Sequence, residues 1–122
     1  MDVTPLIPAG RQLIQSYGDG GFRISGRRWE GSVLVFASET IPWAALTAED
    51  ASLETLAPVL AAKVELLLLG SGAQMAVMPR QLKAELKAAG IVLDVMDTGA
   101  ACRTYNVLLS EDRSVAAALI AV

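Results

Sequence analysis

"VELLLLG" (residues 64–70) places four leucines in a row. A strand that is apolar on both faces needs cover on both faces, as in a parallel sheet packed between two layers. No charged residue interrupts residues 66–69. We therefore expect residues 65–69 to form a central strand with neither face open to water.

A helix and a strand follow the leucine strand. In "PRQLKAELKAAG" (79–90), Leu82 and Leu86 share one helical face, and Gly90 is typical of a helix C-terminal cap. "IVLDV" (91–95) has the apolar character of the next buried strand.

A second helix and a last strand complete this half of the chain. "TGAACRTYNVLL" (98–109) predicts a helix with Asp97 or Thr98 as its N-cap. The turn "EDR" (111–113) leads into "SVAAALIAV" (114–122), a final apolar strand. Strands that alternate with helices imply right-handed crossovers and a mainly parallel sheet.

The first third of the chain has a different pattern. Residues 1–11, with two prolines and a glycine, indicate an irregular N-terminal arm. "LIQSYG" (13–18), "FRIS" (22–25) and "WEGSVLVFA" (29–37) are short strand-like segments separated by glycine-containing turns. They predict an antiparallel meander.

A further helix is indicated between the two halves. Leu53, Leu56 and Leu60 recur at helical spacing. Pro58 should end or kink that helix near Ala57, because proline lacks the backbone N–H and clashes with the preceding turn.

Length and composition set the overall expectation. The chain has 122 residues, of which 53% are hydrophobic and 19% are charged, enough for one closed core. We predict a single α/β domain over residues 1–122, with an N-terminal β-meander and a central mixed, mainly parallel sheet carrying two or three helices. The apolar composition also predicts association with other proteins or as a homodimer.

Charge and hydropathy argue against several function classes. The net charge is −3 and no basic stripe is present, so nucleic acid is not an expected partner. The longest uncharged run, Leu66 to Pro79, is too short to cross a bilayer. Asp2 stands where a signal peptide carries Lys or Arg, and one cysteine allows no internal disulfide. We expect a cytoplasmic protein without a membrane span.

The chain contains no histidine. This removes Ser–His and Cys–His catalytic pairs and the commonest metal ligand. The glycine-rich phosphate loops and the GxSxG hydrolase motif are also missing from the sequence. We therefore expect no metal and no cofactor, and we assign no catalytic residue.

Two loops remain where a ligand could bind, Gly70–Gly72 ("GSG") and Met96–Gly99 ("MDTG"). Each follows a predicted strand, and ligands of open α/β sheets bind beyond the carboxyl ends of the strands. If the two strands are neighbours, the loops meet. The candidate binding residues are Ser71, Gly72, Asp97, Thr98, Cys102, Arg103 and Asn106.

Each candidate also has a purely structural interpretation. Cys102 is either a thiolate activated at a helix start or a small buried residue, and the missing histidine favours the second. The glycine loop either binds an anion or turns the chain, and Asp97 is either a general base or a helix cap. Arg103 either clamps an anion or pairs with a nearby acid. Asn106 shares the face of the cysteine.

Four segments together resemble a known family. They are "GDGGFRISG" (18–26), "GSVLVF" (31–36), "ELLLLGSG" (65–72) and "MDTGAACRTYNVLLSEDRSVAAALI" (96–120). They resemble a small domain of unknown function found in many bacterial proteins, in a mitochondrial respiratory complex I assembly factor and in an adipogenesis-associated animal protein. The resemblance implies an α/β fold whose last strand is antiparallel to the rest, and it transfers no catalytic residue.

Two functional hypotheses follow. The first is a non-catalytic protein-binding or assembly-type domain, as the resemblance implies. The alternative is a small-molecule or anion-binding protein, or a cysteine-dependent enzyme, with its pocket at the two loops. They differ in whether Cys102, Ser71 and Arg103 open onto one solvent-accessible pocket.

Overall fold

The computed structural model describes residues 11–76 and 80–122, and these form eight strands, three α-helices and a short 3-10 helix at Ala48–Asp50. In chain order the elements are β1 (Ile14–Gly18), β2 (Gly21–Ile24), β3 (Arg27–Glu30), β4 (Val33–Val35), β5 (Thr40–Pro42), α1 (Ala57–Ala62), β6 (Leu66–Gly70), α2 (Arg80–Ala88), β7 (Val92–Met96), α3 (Thr98–Ser110) and β8 (Val115–Leu119). Of the predicted arm over residues 1–11, all but Arg11 lie outside the described residues. None of the described helices is both long and apolar enough to cross a membrane.

The larger sheet is mixed, with the strand order β5-β4-β8-β6-β7. β6 pairs in parallel with both β7 and β8, whereas β4 pairs antiparallel with β5 and β8. The predicted mixed sheet is therefore confirmed, with two parallel and two antiparallel strand pairs. The last strand was expected to run antiparallel to the rest of the sheet. β8 is antiparallel to β4, but it is parallel to β6, so the expectation is wrong for that pair.

The length of α3 explains this orientation. Its 13 residues extend about 20 Å at 1.5 Å per residue, more than the length of a five-residue strand. The helix therefore returns the chain to the opposite end of the sheet, and β8 starts beside the start of β6. The residue pair Leu66 and Val115 marks that shared start.

The leucine strand is central, as predicted. Leu67, Leu68 and Leu69 are fully buried. Leu67 and Leu69 face a core built with α1 and α2, and Leu68 faces a second core built with α3 and the N-terminal strands. The helices α2 and α3 lie on opposite faces of the sheet. Both crossovers are right-handed, but the chain moves in one direction across the sheet from β6 to β7 and in the other from β7 to β8.

The predicted meander is the smaller sheet, which pairs β1, β2 and β3 antiparallel. Phe22 and Ile24 of β2 pack into the core beneath α3. The prediction of one strand over residues 29–37 is wrong. Gly31 adopts a positive φ of 80°, which ends β3 and lets the chain enter the other sheet as β4.

The predicted effect of Pro58 is also wrong. The helix begins at Ala57, so Pro58 occupies the first turn, where the missing N–H has no helical partner to lose. Leu56 and Val59 are buried against the sheet.

Candidate functional site

The two predicted loops do meet, because β6 and β7 are neighbours. Gly70 lies directly against the start of α3, and a Cβ atom placed on it would be 2.9 Å from the Cα of Thr98. No side chain fits at this contact without moving the helix. The carboxyl end of the parallel strands is thus closely packed at the place where a ligand was expected.

Thr98 closes this end of the sheet. It is fully buried, and its backbone N–H donates to the Gly72 carbonyl at 2.8 Å. Its Oγ1 accepts from the Gly72 N–H at 2.9 Å and donates to the Ile120 carbonyl at 2.8 Å. One side chain therefore joins the β6 loop, the start of α3 and the end of β8.

Ser71 forms its hydrogen bonds inside the same loop. Its Oγ lies 2.7 Å from the Gln74 carbonyl oxygen and 3.1 Å from that of Met96, and it accepts from the Ala76 N–H at 3.1 Å. Its backbone N–H donates to the Met96 carbonyl at 2.9 Å. The hydroxyl holds the loop in shape.

Asp97 is the N-cap of α3. Its Oδ1 accepts from the Ala100 N–H at 2.8 Å, and its carbonyl accepts from the Ala101 N–H at 3.0 Å. This confirms the capping interpretation. Together with the bond from Thr98, three of the first four N–H groups of α3 already have partners within the protein.

Cys102 lies just past the first turn of α3 and is only 3% exposed. Its side chain packs in the core with Ala101 and Tyr105. Burial raises the pKa of the thiol to about 12, and the charge of Arg103 opposes that rise only in part. The thiol is therefore protonated at neutral pH, as expected for a structural cysteine.

Arg103 and Asn106 connect α3 to β1. Arg103 Nη1 donates to the Tyr17 hydroxyl at 3.0 Å. The prediction that Arg103 pairs with a nearby acid is therefore wrong, because its partner is a phenol. Asn106 accepts from the Ile14 N–H at 3.0 Å and donates to the Ile14 carbonyl at 2.7 Å. The amide thereby binds both backbone groups of one strand residue.

Within residues 11–76 and 80–122, the candidate residues point in different directions. Cys102 faces the core, the Ser71 hydroxyl is used within its loop, and Arg103 lies on the outer side of α3. Three open cavities on the described part of the chain have no predicted site residue in their linings. In the described ranges, no three His, Cys, Asp or Glu side chains are placed to share a metal ion.

Two of these cavities adjoin at the opposite end of the sheet, where β6 and β8 begin. Their volumes are about 380 and 370 Å³, and both are lined by Phe36, Ser38 and Ala62. The third, of about 310 Å³, lies beside Trp29, whose ring is covered by the Arg27 guanidinium at 4.1 Å. The sequence held no pattern that pointed to the paired cavities, because their walls come from segments distant in the chain.

Similar proteins are known from bacteria and animals. An uncharacterized protein of Rhodobacter capsulatus is 44% identical over 112 residues, which is 92% of this chain and 86% of that protein. The zebrafish (Danio rerio) NADH dehydrogenase [ubiquinone] 1 alpha subcomplex assembly factor 3 is 38% identical over 110 residues. That alignment includes 88% of this chain and 63% of the assembly factor, so this chain spans less than two thirds of that relative.

A solved structure and a family model agree with these relatives. The crystal structure of a Bordetella parapertussis protein superposes with a TM-score of 0.84 at 31% identity, over 94% of this chain and all of that one. The family model described as "Protein of unknown function (DUF498/DUF598)" matches residues 14–120. The chain therefore belongs to the DUF498/DUF598 family.

Proposed function

We propose that this chain is a non-catalytic protein-binding domain of the assembly-factor type. The observation that carries the proposal is the closed carboxyl end of the parallel strands, where Thr98 fills the position at which α/β proteins commonly hold a ligand. The relation to a protein named as an NADH dehydrogenase assembly factor supports the same conclusion.

The alternative of a cysteine-dependent enzyme gains no support from the geometry. A nucleophilic cysteine needs access and a stabilised thiolate, whereas Cys102 is buried with a raised pKa. Anion binding at the start of α3 stays a prediction. Asp97 disfavours it, because the carboxylate already accepts the Ala100 N–H and would repel a second negative charge.

Two finer expectations belong to this proposal, namely a cytoplasmic location and self-association. The homodimer is predicted from the 53% hydrophobic composition. Sedimentation velocity at micromolar concentration tests it, and we expect the mass of two chains. A single species with the mass of one chain would contradict the homodimer and leave the assembly role to partner proteins.

The proposed function is tested by deleting the gene in the organism that encodes it. We expect less assembled NADH dehydrogenase on native gels of the membrane fraction, restored by expressing the wild-type chain. A Cys102→Ala variant is the matched control, and under our proposal it restores assembly as well as the wild type does. Unchanged assembly in the deletion strain would refute the assembly role. Rescue by the wild type but not by folded Cys102→Ala would favour the cysteine enzyme.

A further inference from the structure

The two adjoining cavities form one open groove at the end of the sheet where β6 and β8 begin. We call this surface the amino-end groove and define it by the residues that both cavities share: Phe36, Ser38 and Ala62. Each cavity has a volume in the range typical of ligand pockets. The groove is separate from the closed Thr98 end of the sheet.

One end of the groove is basic. Arg11, Asp112 and Arg113 all line it. Arg11 Nη2 lies 2.8 Å from Asp112 Oδ1, but the Asp112 side chain is 81% exposed, so this ion pair is weak and exchangeable. Arg113 is exposed and has no ion-pair partner within residues 11–76 and 80–122. This end of the groove therefore has two positive charges and one negative charge, and it can bind the carboxylate of a ligand.

The rest of the groove combines apolar side chains with serines and ends at an acid. Phe36 and Val64 line the basic cavity, and Ala61 and Pro58 line the neighbouring one. The Phe36 N–H donates to the Glu39 carbonyl at 2.8 Å, which fixes this turn at the wall of the groove. The exposed carboxylate of Glu39 lies in the wall of the second cavity, away from the arginines.

We propose that the amino-end groove binds the extended C-terminal segment of a partner protein. The terminal carboxylate lies between Arg11 and Arg113, apolar side chains pack on Phe36 and Val64, and a basic side chain further back faces Glu39. A free small anion would contact only the arginines, and it would leave Phe36, Val64 and Glu39 without a role in binding. Capture of a chain terminus is a known mode of peptide recognition. This proposal rests on the proposed protein-binding function.

The test uses the full chain, immobilised, and a pool of hexapeptides with a lysine first and apolar residues at the last three positions. The pool is prepared once with free C-terminal carboxylates and once as C-terminal amides, and retained peptides are counted by mass spectrometry. We expect at least tenfold more free-acid than amide peptide to be retained. Arg113→Gln should remove that preference, and Arg23→Gln, an exposed arginine on β2, should preserve it.

Three results would contradict the proposed binding of a peptide C-terminus in the groove. These are equal retention of acids and amides, equal retention by the wild type and Arg113→Gln, and displacement of the peptides by millimolar acetate alone, which would indicate a simple anion site. Circular dichroism melting of both variants controls for folding. If Arg113→Gln still restores NADH dehydrogenase assembly in the deletion strain while the wild type does not retain the peptides, the groove is wrong and the assembly function stands.

Discussion

Thr98 shows how a single hydroxyl can serve as structure at a position expected to bind a ligand. The side chain is fully buried, and its Oγ1 satisfies one backbone donor and one backbone acceptor from different segments. A buried polar group is tolerated only when its hydrogen bonds are made, and here the partners are equally dependent on it. The threonine is therefore a structural requirement of the loop junction.

Replacing Thr98 by valine should destabilise the protein. Valine has nearly the same shape but leaves the Gly72 N–H and the Ile120 carbonyl without their partner, and an unsatisfied buried group costs about 1–3 kcal/mol. We expect the free energy of unfolding in urea to fall by about 2–4 kcal/mol. Thr98→Ser keeps the hydroxyl and should cost about 1 kcal/mol for the lost methyl group. Equal stability of the two variants would contradict this role.

Cys102 predicts a pH dependence of stability. Its pKa rises from an ordinary value of 9.0 to about 12 in the folded protein, because burial disfavours the thiolate. Above pH 9 the unfolded chain loses this proton and the folded chain keeps it. The free energy of unfolding should therefore fall with rising pH between 9 and 12, by up to about 1.4 kcal/mol per pH unit.

The matched control for this prediction is Cys102→Ala, measured by urea unfolding at pH 8.5 and pH 10. The variant should lose less stability over that interval than the wild type. Some loss should persist, because burial also raises the pKa of Tyr105 above its ordinary value. Identical losses in both proteins, or rapid alkylation of Cys102 in the folded protein at pH 6, would show that the thiol is not protected as the structure indicates.

At the scale of elements, α3 organises both sheets. Its buried face packs on β6 and β8, and hydrogen bonds from Asn106 and Arg103 tie the helix to β1 of the smaller sheet. The Asn106 amide takes the place of a neighbouring strand, because it bonds both the N–H and the carbonyl of Ile14. The smaller sheet is therefore held by side-chain bonds as well as by its buried apolar face.

Asn106→Ala should loosen β1 more than it affects the rest of the molecule. Two partly buried backbone groups of Ile14 lose their partners, so we expect a loss of about 1–3 kcal/mol in the free energy of unfolding. Amide hydrogen exchange should become faster in β1 than in β6. Val107→Ala, the exposed next residue of α3, is the control and should change stability by less than about 0.5 kcal/mol. Unchanged exchange in β1 would contradict the bridging role of Asn106.

The sequence predicted the elements whose cause is local. The leucine run, the caps at Asp97 and Gly90 and the spacing of Leu82 and Leu86 were sufficient for β6, α2, β7 and α3. The break at Gly31 was missed, because the glycine was included in one strand-like segment with the apolar run that follows it. Pro58 was misjudged, because the same residue can end one helix or begin another.

The sequence predicted which residues meet at the candidate site, but it did not predict that their hydrogen bonds would be made within the protein. The sequence placed Ser71, Asp97 and Thr98 at one junction, and the structure confirms that they meet. The sequence could not show that the Thr98 hydroxyl hydrogen-bonds to backbone groups, since Ile120 is remote from it in the chain. The amino-end groove was missed for the same reason, because Arg11 and Arg113 come together only in the fold.

At the scale of the whole molecule, the larger sheet ends on two outer strands, β5 and β7, among the strands described. An unpaired strand edge can recruit another chain, and proteins discourage this with proline or charge. β5 carries Pro42, and β7 carries an exposed Asp94 at its middle. Both edges therefore have a feature that disfavours unspecific strand addition.

Removing the charge on β7 should promote aggregation. In Asp94→Val the outer strand becomes apolar throughout, so we expect larger species to increase severalfold over the wild type in sedimentation at equal concentration. Glu54→Val makes the same change of charge and hydropathy outside the strands and is the control. If both variants sediment like the wild type, Asp94 has no protective role at this edge.

The position of β8 between β4 and β6 also determines when the fold can form during synthesis. Residues 115–119 lie between the strand at 33–35 and the strand at 66–70, so the two halves of the larger sheet cannot join until these residues have been made. Pairing across such distances in the chain is slow, because the entropy of a long loop must be lost first. The strand of Leu67 to Leu69 therefore lacks β8 beside it until residues 115–119 have been made, and chaperone binding during synthesis is expected to matter more for this chain than for a domain of equal size built from neighbouring segments.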